Sequence, residues 1–163
     1  MVLDANEIAS GLWQGSVPPQ GGVLNLLGYH ALVLAAEEFQ FDAGFYPGVA
    51  VIYAPNDDNG KPLSREQLTI AVKAARDVAA RIRSGQKVLV TCAAGVNRSG
   101  LVSALTLHFL YGWSGDRCIR RIRERRTHPN FGKALSNPFF THALRKLPES
   151  RPTPTPGPII LLR

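Results

Sequence analysis

Four short apolar runs along the chain are predicted to be β-strands. Each has the length of a strand and ends near residues that favour turns. The four runs are Leu12–Gly15, Ala31–Ala35, Val49–Ala54 and Val88–Thr91. The last run is unbroken by charged residues, which is typical of a strand that is buried on both faces of a parallel sheet.

Between and after these runs, apolar residues recur at helical spacing. The clearest helix follows Ser64, which fits a capping box with Gln67, and Gly85 stands where a helix C-cap is expected. Further helices are predicted at Gln20–Leu27, Leu101–Leu110 and Arg117–Arg126, and a last one begins at Asn137–Pro138. The alternation of strands and helices favours an α/β sandwich with a mostly parallel sheet.

Composition and charge narrow the class of protein. The 163 residues are 45% hydrophobic and 19% charged, which fits one soluble globular domain. The chain has no apolar run of about 18 residues that would predict a membrane span, and its N-terminus lacks the pattern of a signal peptide. Two cysteines, Cys92 and Cys118, are too few for a disulfide framework and favour a cytoplasmic location. The net charge of +7 favours anionic partners.

The stretch "VLVTCAAGVNRSG" places Cys92 where a strand ends and Arg98 where a helix begins. A loop of small residues between them turns backbone N–H groups inward, and the dipole of the helix adds positive character. Such a nest stabilises a thiolate, the nucleophilic form of a thiol whose ordinary pKa is about 8.5. Gly95 allows a positive φ, and the planar guanidinium of Arg98 binds two phosphoryl oxygens at once. Ser99 is expected to place its hydroxyl near the sulfur.

The segment "CAAGVNRSG" resembles the Cys-x5-Arg-Ser signature of the cysteine-dependent protein tyrosine phosphatase superfamily, and it looks most like the dual-specificity branch. The resemblance covers roughly residues 7–147. It also includes "IASGLWQGSVPP", "NDDNGKPL" and "RIRERRTHPNFGKALSNPFFTHAL", which are similar to the opening strand segment, the acid loop and the C-terminal helices of that branch. The implied fold is a single-domain sandwich with a central, mostly parallel sheet of about four to five strands flanked by helices.

The resemblance also implies roles for particular residues. Cys92 would be the nucleophile that forms a phosphocysteine, Arg98 would stabilise the phosphoryl oxygens and Ser99 would ease release of the thiolate. The general acid would be an aspartate of the preceding loop, and Asp58 is preferred over Asp57 because it aligns better with the usual Asp-Asn pair. The predicted phosphate-binding residues are Ala93, Ala94, Gly95, Val96, Asn97 and Arg98. No metal and no cofactor are implied.

The substrate class stays open at this point. The preferred function is hydrolysis of phosphotyrosine, phosphoserine or phosphothreonine in phosphoproteins, or of small phosphoesters. An RNA 5′-phosphatase of the same superfamily is one alternative, since Asn97 precedes Arg98 and the segment Arg117–Arg126 carries six arginines. We interpret those arginines as a solvated helix face rather than an anion-binding face. The other alternative is a non-catalytic phosphate-binding module, because Thr91 replaces the usual histidine and brings no imidazole to stabilise the thiolate.

The C-terminal end differs in composition from the rest. Proline at every second position of Arg151–Pro158 disfavours both helix and sheet pairing and predicts an extended linker. The apolar segment Ile159–Leu162 that follows is interpreted as a frayed terminus. The predicted domains are therefore a catalytic domain over residues 1–148 and a Pro-rich tail over residues 149–163.

Overall fold

The computed structural model describes residues 3–152, so most of the predicted tail over residues 149–163 lies outside the described residues. The strands are β1 (Ala5–Ala9), β2 (Leu12–Gly15), β3 (Ala31–Ala36), β4 (Ala50–Asn56), β5 (Val88–Thr91), β6 (Thr127–His128) and β7 (Gly132–Lys133). The α-helices are α1 (Val23–Leu26), α2 (Arg65–Arg83), α3 (Arg98–Tyr111), α4 (Gly115–Arg125) and α5 (Pro138–Arg145). Short 3₁₀ helices lie at Glu37–Phe39 and Ala43–Phe45.

Five strands form the central sheet in the order β1-β2-β5-β3-β4. All neighbours are parallel except β1, which pairs antiparallel with β2 at the edge. The predicted mostly parallel sheet of four to five strands is thus confirmed. Because β5 lies between β2 and β3, the loop that follows it leaves from the middle of the sheet. This is where open α/β sheets bind ligands.

The two faces of the sheet are covered by different elements. Val88 and Val90 of β5 belong to the main core, which also contains the buried faces of α2, α3, α4 and α5. Leu89 points to the opposite face and packs in a smaller cluster with Leu24 of α1 and Tyr46. Because both faces of β5 are buried, its side chains are apolar without alternation, as its sequence indicates. No helix within residues 3–152 is long and apolar enough to span a membrane.

Helix ends follow the signals in the sequence. Gln67 N donates to Ser64 Oγ at 3.1 Å and Ser64 N donates to Gln67 Oε1 at 2.9 Å, so the predicted capping box at the start of α2 is confirmed. Helix α3 ends at Gly112, which has a φ of +69°. Asn137 caps α5, because its Oδ1 accepts from Phe139 N at 2.9 Å.

Four features of the fold differ from the sequence-based predictions. The edge strand β1 has mostly polar or half-exposed side chains, with only Ile8 fully buried, so it shows no apolar run. Helix α1 is shorter than the predicted Gln20–Leu27, because it begins only after Gly22. The hairpin of β6 and β7 was not predicted, since strands of two residues are too short to show a period. Helix α4 also ends before Arg126, which has an extended backbone.

Candidate active site

The loop after β5 turns its carbonyl groups outward. Every carbonyl of residues 93–96 accepts a hydrogen bond from outside the loop. The donors to Ala93 O, Ala94 O and Val96 O are Val17 N (3.4 Å), Arg126 Nη2 (3.0 Å) and Leu135 N (3.0 Å), and Gly95 O accepts from both Gln14 Nε2 and Arg126 Nε at 3.0 Å. By contrast, none of the amides of residues 93–98 donates to a protein acceptor among residues 3–152. The loop is therefore a nest of unpaired N–H groups, which is an anion-binding geometry.

Gly95 is required by the close packing of this nest. Its φ is +69°, and a Cβ there would lie 2.5 Å from both Arg126 Nη2 and the carbonyl carbon of Gly15. A side chain at this position would therefore meet both backbone strain and backbone atoms that cannot move aside. The glycine in the sequence signature is explained by both constraints together.

Arg126 supports the loop from beneath. Its side chain is 1% exposed and makes five hydrogen bonds, one for each of its N–H donors. Apart from the two loop carbonyls, the acceptors are Asp4 Oδ1 (2.7 Å), Asp4 Oδ2 (2.9 Å) and Asn6 Oδ1 (3.0 Å). The bond from Arg126 lowers the pKa of Asp4, against the opposing effect of burial. The interpretation of all six arginines as a solvated face is therefore wrong for Arg126.

Arg98 presents one free edge of its guanidinium. Nη1 donates to Glu38 Oε2 at 2.5 Å and to Asn56 O at 3.1 Å, while Nη2 donates to Glu38 Oε1 at 2.6 Å. Nε is buried and has no partner within residues 3–152. Three of the five N–H groups are thus used, and the edge formed by Nε and Nη2 keeps two parallel donors for a ligand.

Glu38 compensates for the burial of the positive charge on this arginine. Burial by itself lowers the pKa of Arg98, but the hydrogen bonds that it donates to Glu38 and the negative charge of Glu38 act in the opposite direction, and the pKa is raised overall. The same bond lowers the pKa of Glu38. Glu38 lies in the first 3₁₀ helix, directly after β3, and sequence reasoning did not identify it. An acidic residue at the carboxyl end of a strand beside β5 is the signal that could have found it.

Cys92 is the first residue after β5 and is 5% exposed. Its Sγ lies 3.2 Å from Ser99 Oγ, within hydrogen-bonding distance, as the sequence predicts for Ser99. Thr91 does not reach the sulfur with its hydroxyl, because Thr91 Oγ1 donates to Val33 O on the neighbouring strand at 2.7 Å. The hydroxyl of Thr91 therefore links β5 to β3, and the hydroxyl bonded to Cys92 Sγ is that of Ser99.

The structure separates the two candidate acids. Both carboxylate oxygens of Asp57 accept from Asn59, from its backbone N at 3.2 Å and from its Nδ2 at 3.0 Å, which is a local turn. Asp58 instead reaches towards the loop, where Oδ2 accepts from Asn97 Nδ2 at 2.9 Å and Oδ1 from Asn137 Nδ2 at 2.6 Å. Asn137, the cap of α5, was not identified from the sequence as part of the site.

One cavity of about 270 Å³ joins these groups. It is lined by Asp58, Cys92, Ala93, Ala94, Val96, Asn97, Arg98, Phe131 and Ser136. All the predicted site residues except Gly95 and Ser99 line it, and those two lie directly behind the lining. A larger cavity of about 520 Å³ lies over α4 and α5, but it is lined mainly by charged residues, of which Arg145 is paired with Asp116, and by no cysteine or serine. The predicted site residues therefore meet at the smaller cavity.

Comparison with solved structures gives the fold class. A mutant form of Tk-PTP is 25% identical with a TM-score of 0.68, over 88% of this chain and 95% of that one. PTPMT1 in complex with PI(5)P is 20% identical with a TM-score of 0.72, over 88% and 93% of the two chains. Human DUSP28 is 22% identical with a TM-score of 0.71, over 90% and 94%. No protein-family model and no curated protein sequence matches the chain.

These neighbours are dual-specificity and PTP-like phosphatases, and each is matched over nearly its whole length. The chain therefore has the fold of the dual-specificity branch of the cysteine-dependent protein tyrosine phosphatase superfamily. The fold that the sequence resemblance implies is confirmed, and the neighbours support the prediction of a cysteine-dependent phosphatase.

Proposed function

We propose that the protein hydrolyses phosphomonoesters, in phosphoproteins or small phosphoesters, through a phosphocysteine intermediate on Cys92. The observation that carries this proposal is the set of unpaired donors around the sulfur, namely the amides of residues 93–98 and the free Nε edge of Arg98. A phosphoryl group presents three oxygens whose charge must be stabilised during transfer. Donors that are buried without protein acceptors cost free energy unless a ligand pairs with them, so an anion completes the site.

In the first step, Cys92 Sγ attacks phosphorus in line with the leaving oxygen. The S–P bond forms as the P–O bond to the leaving group breaks, and the electron pair stays on that oxygen. The loop amides and the free edge of Arg98 stabilise the charge on the equatorial oxygens. Asp58, at the cavity wall, gives its proton to the leaving oxygen.

In the second step, water replaces the leaving group. Asp58, now a carboxylate, accepts a proton from the water as its oxygen attacks phosphorus, and the S–P bond breaks with its electron pair returning to sulfur. Ser99 Oγ, 3.2 Å from Sγ, donates a hydrogen bond to the departing thiolate. Inorganic phosphate leaves and the site returns to its starting state.

We favour phosphoprotein or small phosphoester substrates over RNA. The RNA alternative rests on Asn97 before Arg98 and on the six arginines of Arg117–Arg126. The cavity over α4 also contains Asp116 and Glu124, and Arg145 is paired with Asp116 at 3.1 Å. The positive charge there is partly neutralised, so no contact favours a nucleic acid. PI(5)P is the ligand in the structure of PTPMT1, and it is not evidence for the substrate of this chain. The loop of this chain offers no lysine for such a headgroup.

We place the enzyme in a reducing compartment, with the cytoplasm as the proposal. Both cysteines are free thiols. A nucleophilic cysteine must stay reduced to attack phosphorus, and a reducing compartment maintains that state.

The decisive experiment compares Cys92→Ser with Cys118→Ala on an aryl phosphate and on phosphopeptides. Cys92→Ser is expected to lose all measurable turnover, because a serine hydroxyl is a far weaker nucleophile in this site. Cys118 is buried in the core and lies outside the cavity, so Cys118→Ala is expected to retain activity. Mass spectrometry of the acid-quenched wild type is expected to find phosphate on the peptide that contains Cys92. Turnover by Cys92→Ser near the wild-type rate would overturn the proposal.

A further inference from the structure

The hairpin of β6 and β7 carries an aromatic side chain to the cavity. Phe131 lies at its tip and is 63% exposed, yet it lines the same cavity as Cys92 and Arg98. A single exposed apolar side chain needs no explanation by itself. An exposed ring at the mouth of a polar phosphate cavity does, because the other lining groups are small residues or hydrogen-bonding groups.

The ring of Phe131 is held in place rather than free. It packs against the ring of His128, with centroids 4.8 Å apart and planes at 49°. His128 is itself fixed, since its Nδ1 accepts from Asn130 N at 3.0 Å and its Nε2 lies 3.8 Å from Asp4 Oδ2. Asp4 is the carboxylate that binds Arg126 beneath the loop. The hairpin and the phosphate nest are therefore tied to the same residue.

The position of the Phe131 ring relative to Cys92 indicates which part of a substrate it would contact. A phosphoryl group on the loop amides and Arg98 sits at the floor of the cavity, over Cys92. In-line attack from the sulfur requires the leaving group to lie on the side of phosphorus that faces away from Cys92, towards the mouth. Phe131 lines the cavity where that leaving group passes. Its ring is therefore expected to meet the organic part of a substrate rather than the phosphate.

We infer that Phe131 is a specificity-determining residue, whose ring packs against the leaving group and favours a flat aromatic one, such as the phenol of phosphotyrosine, over an alkyl one, such as serine. This inference rests on the proposed function, because it assumes a phosphoryl group bound over Cys92. Aromatic pairs in offset or edge-to-face geometry gain a preference that corresponds to about two- to tenfold in a rate or binding constant. An alkyl chain has no ring to make such a pair.

The test uses two peptides of the same sequence, one with phosphotyrosine and one with phosphoserine at the same position. The quantity measured is the ratio of kcat/KM for the two peptides. Phe131→Ala is expected to lower this ratio about two- to tenfold relative to wild type, mainly through phosphotyrosine. The intrinsic difference between the two leaving groups is present in both enzymes and cancels in the comparison.

Two variants serve as controls. Phe131→Tyr keeps a ring at the tip and is expected to keep the ratio of the wild type. Phe45→Ala removes an aromatic side chain that is also exposed but does not line the cavity, and it is expected to change nothing. An unchanged ratio in Phe131→Ala, or an equal loss for both peptides, would overturn the inference.

Failure of the proposed function would look different. In that case the wild type would hydrolyse neither peptide. The inference would then be tested by binding, with the dissociation constants of both peptides measured on Cys92→Ser and on Cys92→Ser combined with Phe131→Ala. Loss of the phosphotyrosine preference in the double variant would support Phe131 as a specificity residue. An equal preference in the two proteins, or no binding of either peptide, would contradict it.

Discussion

Arg98 and Arg126 are both buried arginines next to the loop after β5, and their hydrogen bonds show how differently they act. Arg126 is buried with all five of its N–H donors paired to protein acceptors. Arg98 is buried too, but its Nε has no acceptor within residues 3–152. A buried donor that is fully paired holds structure, whereas a buried donor without an acceptor favours a ligand. Arg126 therefore supports the loop, and Arg98 keeps a donor edge that a ligand can use.

The choice between Asp57 and Asp58 leads to a prediction about leaving groups. Asp58→Asn is expected to lower kcat by about 100-fold for an alkyl or unsubstituted phenyl phosphate, because such leaving groups need a proton. The loss for para-nitrophenyl phosphate is expected to be far smaller, since its leaving group is stable without one. Steady-state kinetics on the two substrates measures both effects.

Asp57→Asn is the matched control for this prediction. Asp57 bonds only within its own turn, and the asparagine side chain keeps an acceptor for Asn59 N, so little change in kcat is expected. The assignment of Asp58 as the general acid would be contradicted by a larger loss of kcat in Asp57→Asn than in Asp58→Asn. It would also be contradicted if Asp58→Asn lowered kcat equally for both substrates.

At the scale of elements, the site depends on the junction between β5 and α3. The strand ends at Thr91 and the helix begins at Arg98, so the loop between them has both ends fixed in the core. Its carbonyls are bound by β2 through Gln14, by the segment after α4 through Arg126, and by the segment before α5 through Leu135. Because the neighbouring elements donate hydrogen bonds to the carbonyl groups of the loop, its amide groups face the cavity.

A substitution of Gly95 is expected to disturb the packing that orients the loop. Gly95→Ala is expected to lower the free energy of unfolding by about 3 kcal/mol, from left-handed backbone strain and from the Cβ contacts with Gly15 and Arg126. It is also expected to abolish most turnover, because the amides move when the loop gives way. Urea unfolding and kcat on an aryl phosphate measure the two effects.

Gly85→Ala provides the control. Gly85 has a φ of +88°, but a Cβ there would meet nothing within 4 Å. Gly85→Ala introduces only the strain of a left-handed backbone. We therefore expect the free energy of unfolding to fall by about 1 kcal/mol and the activity to be unchanged. If both variants lose the same stability and both stay active, the close packing beneath the loop is not what requires Gly95.

At the scale of the whole molecule, the ion pair of Asp4 and Arg126 joins the N-terminal edge strand region to the centre of the sheet and links stability to pH. Arg126 holds the pKa of Asp4 below its ordinary value of 3.8. The ordinary value is the pKa of Asp4 in the unfolded chain. The stabilisation by the ion pair is fully present above that pKa, and it is lost as the pH falls through the lower pKa of Asp4 in the folded state. Glu38, paired with Arg98, contributes with the same sign.

The expected result is a fall in the free energy of unfolding between about pH 5 and pH 2, part of which disappears in Asp4→Asn. Because the side chain of Asp4 is 42% exposed, its share is about 1 kcal/mol. Urea unfolding at a series of pH values measures the curve. Asp116→Asn is the control, since it removes an exposed pair with Arg145 and is expected to leave the curve as it is. An identical acid-side slope in wild type and Asp4→Asn would contradict the role of the ion pair between Asp4 and Arg126.

The sequence by itself determined the elements whose signals are local. The strand Val88–Thr91, the capping box of Ser64 and Gln67, and the cap at Asn137 all depend on residues within a few positions of one another. The succession of Cys92, a small-residue loop and Arg98 is equally local, so a loop of inward-facing amides between them could be predicted from it. Hydrophobic periodicity and helix capping depend on neighbouring residues, so they can be predicted without knowing which distant residues are in contact.

Only the tertiary structure decided which distant groups meet around that loop. Arg126 lies 32 positions from Ala94 and 122 from Asp4, Glu38 lies 60 positions from Arg98, and Asn137 lies 79 from Asp58. Arg126 has the same local sequence context as its solvated neighbours, so nothing near it in the chain distinguishes it. Its burial is decided by where the end of α4 falls against the sheet. Side-chain pairings over such separations depend on packing, which single-sequence patterns do not record.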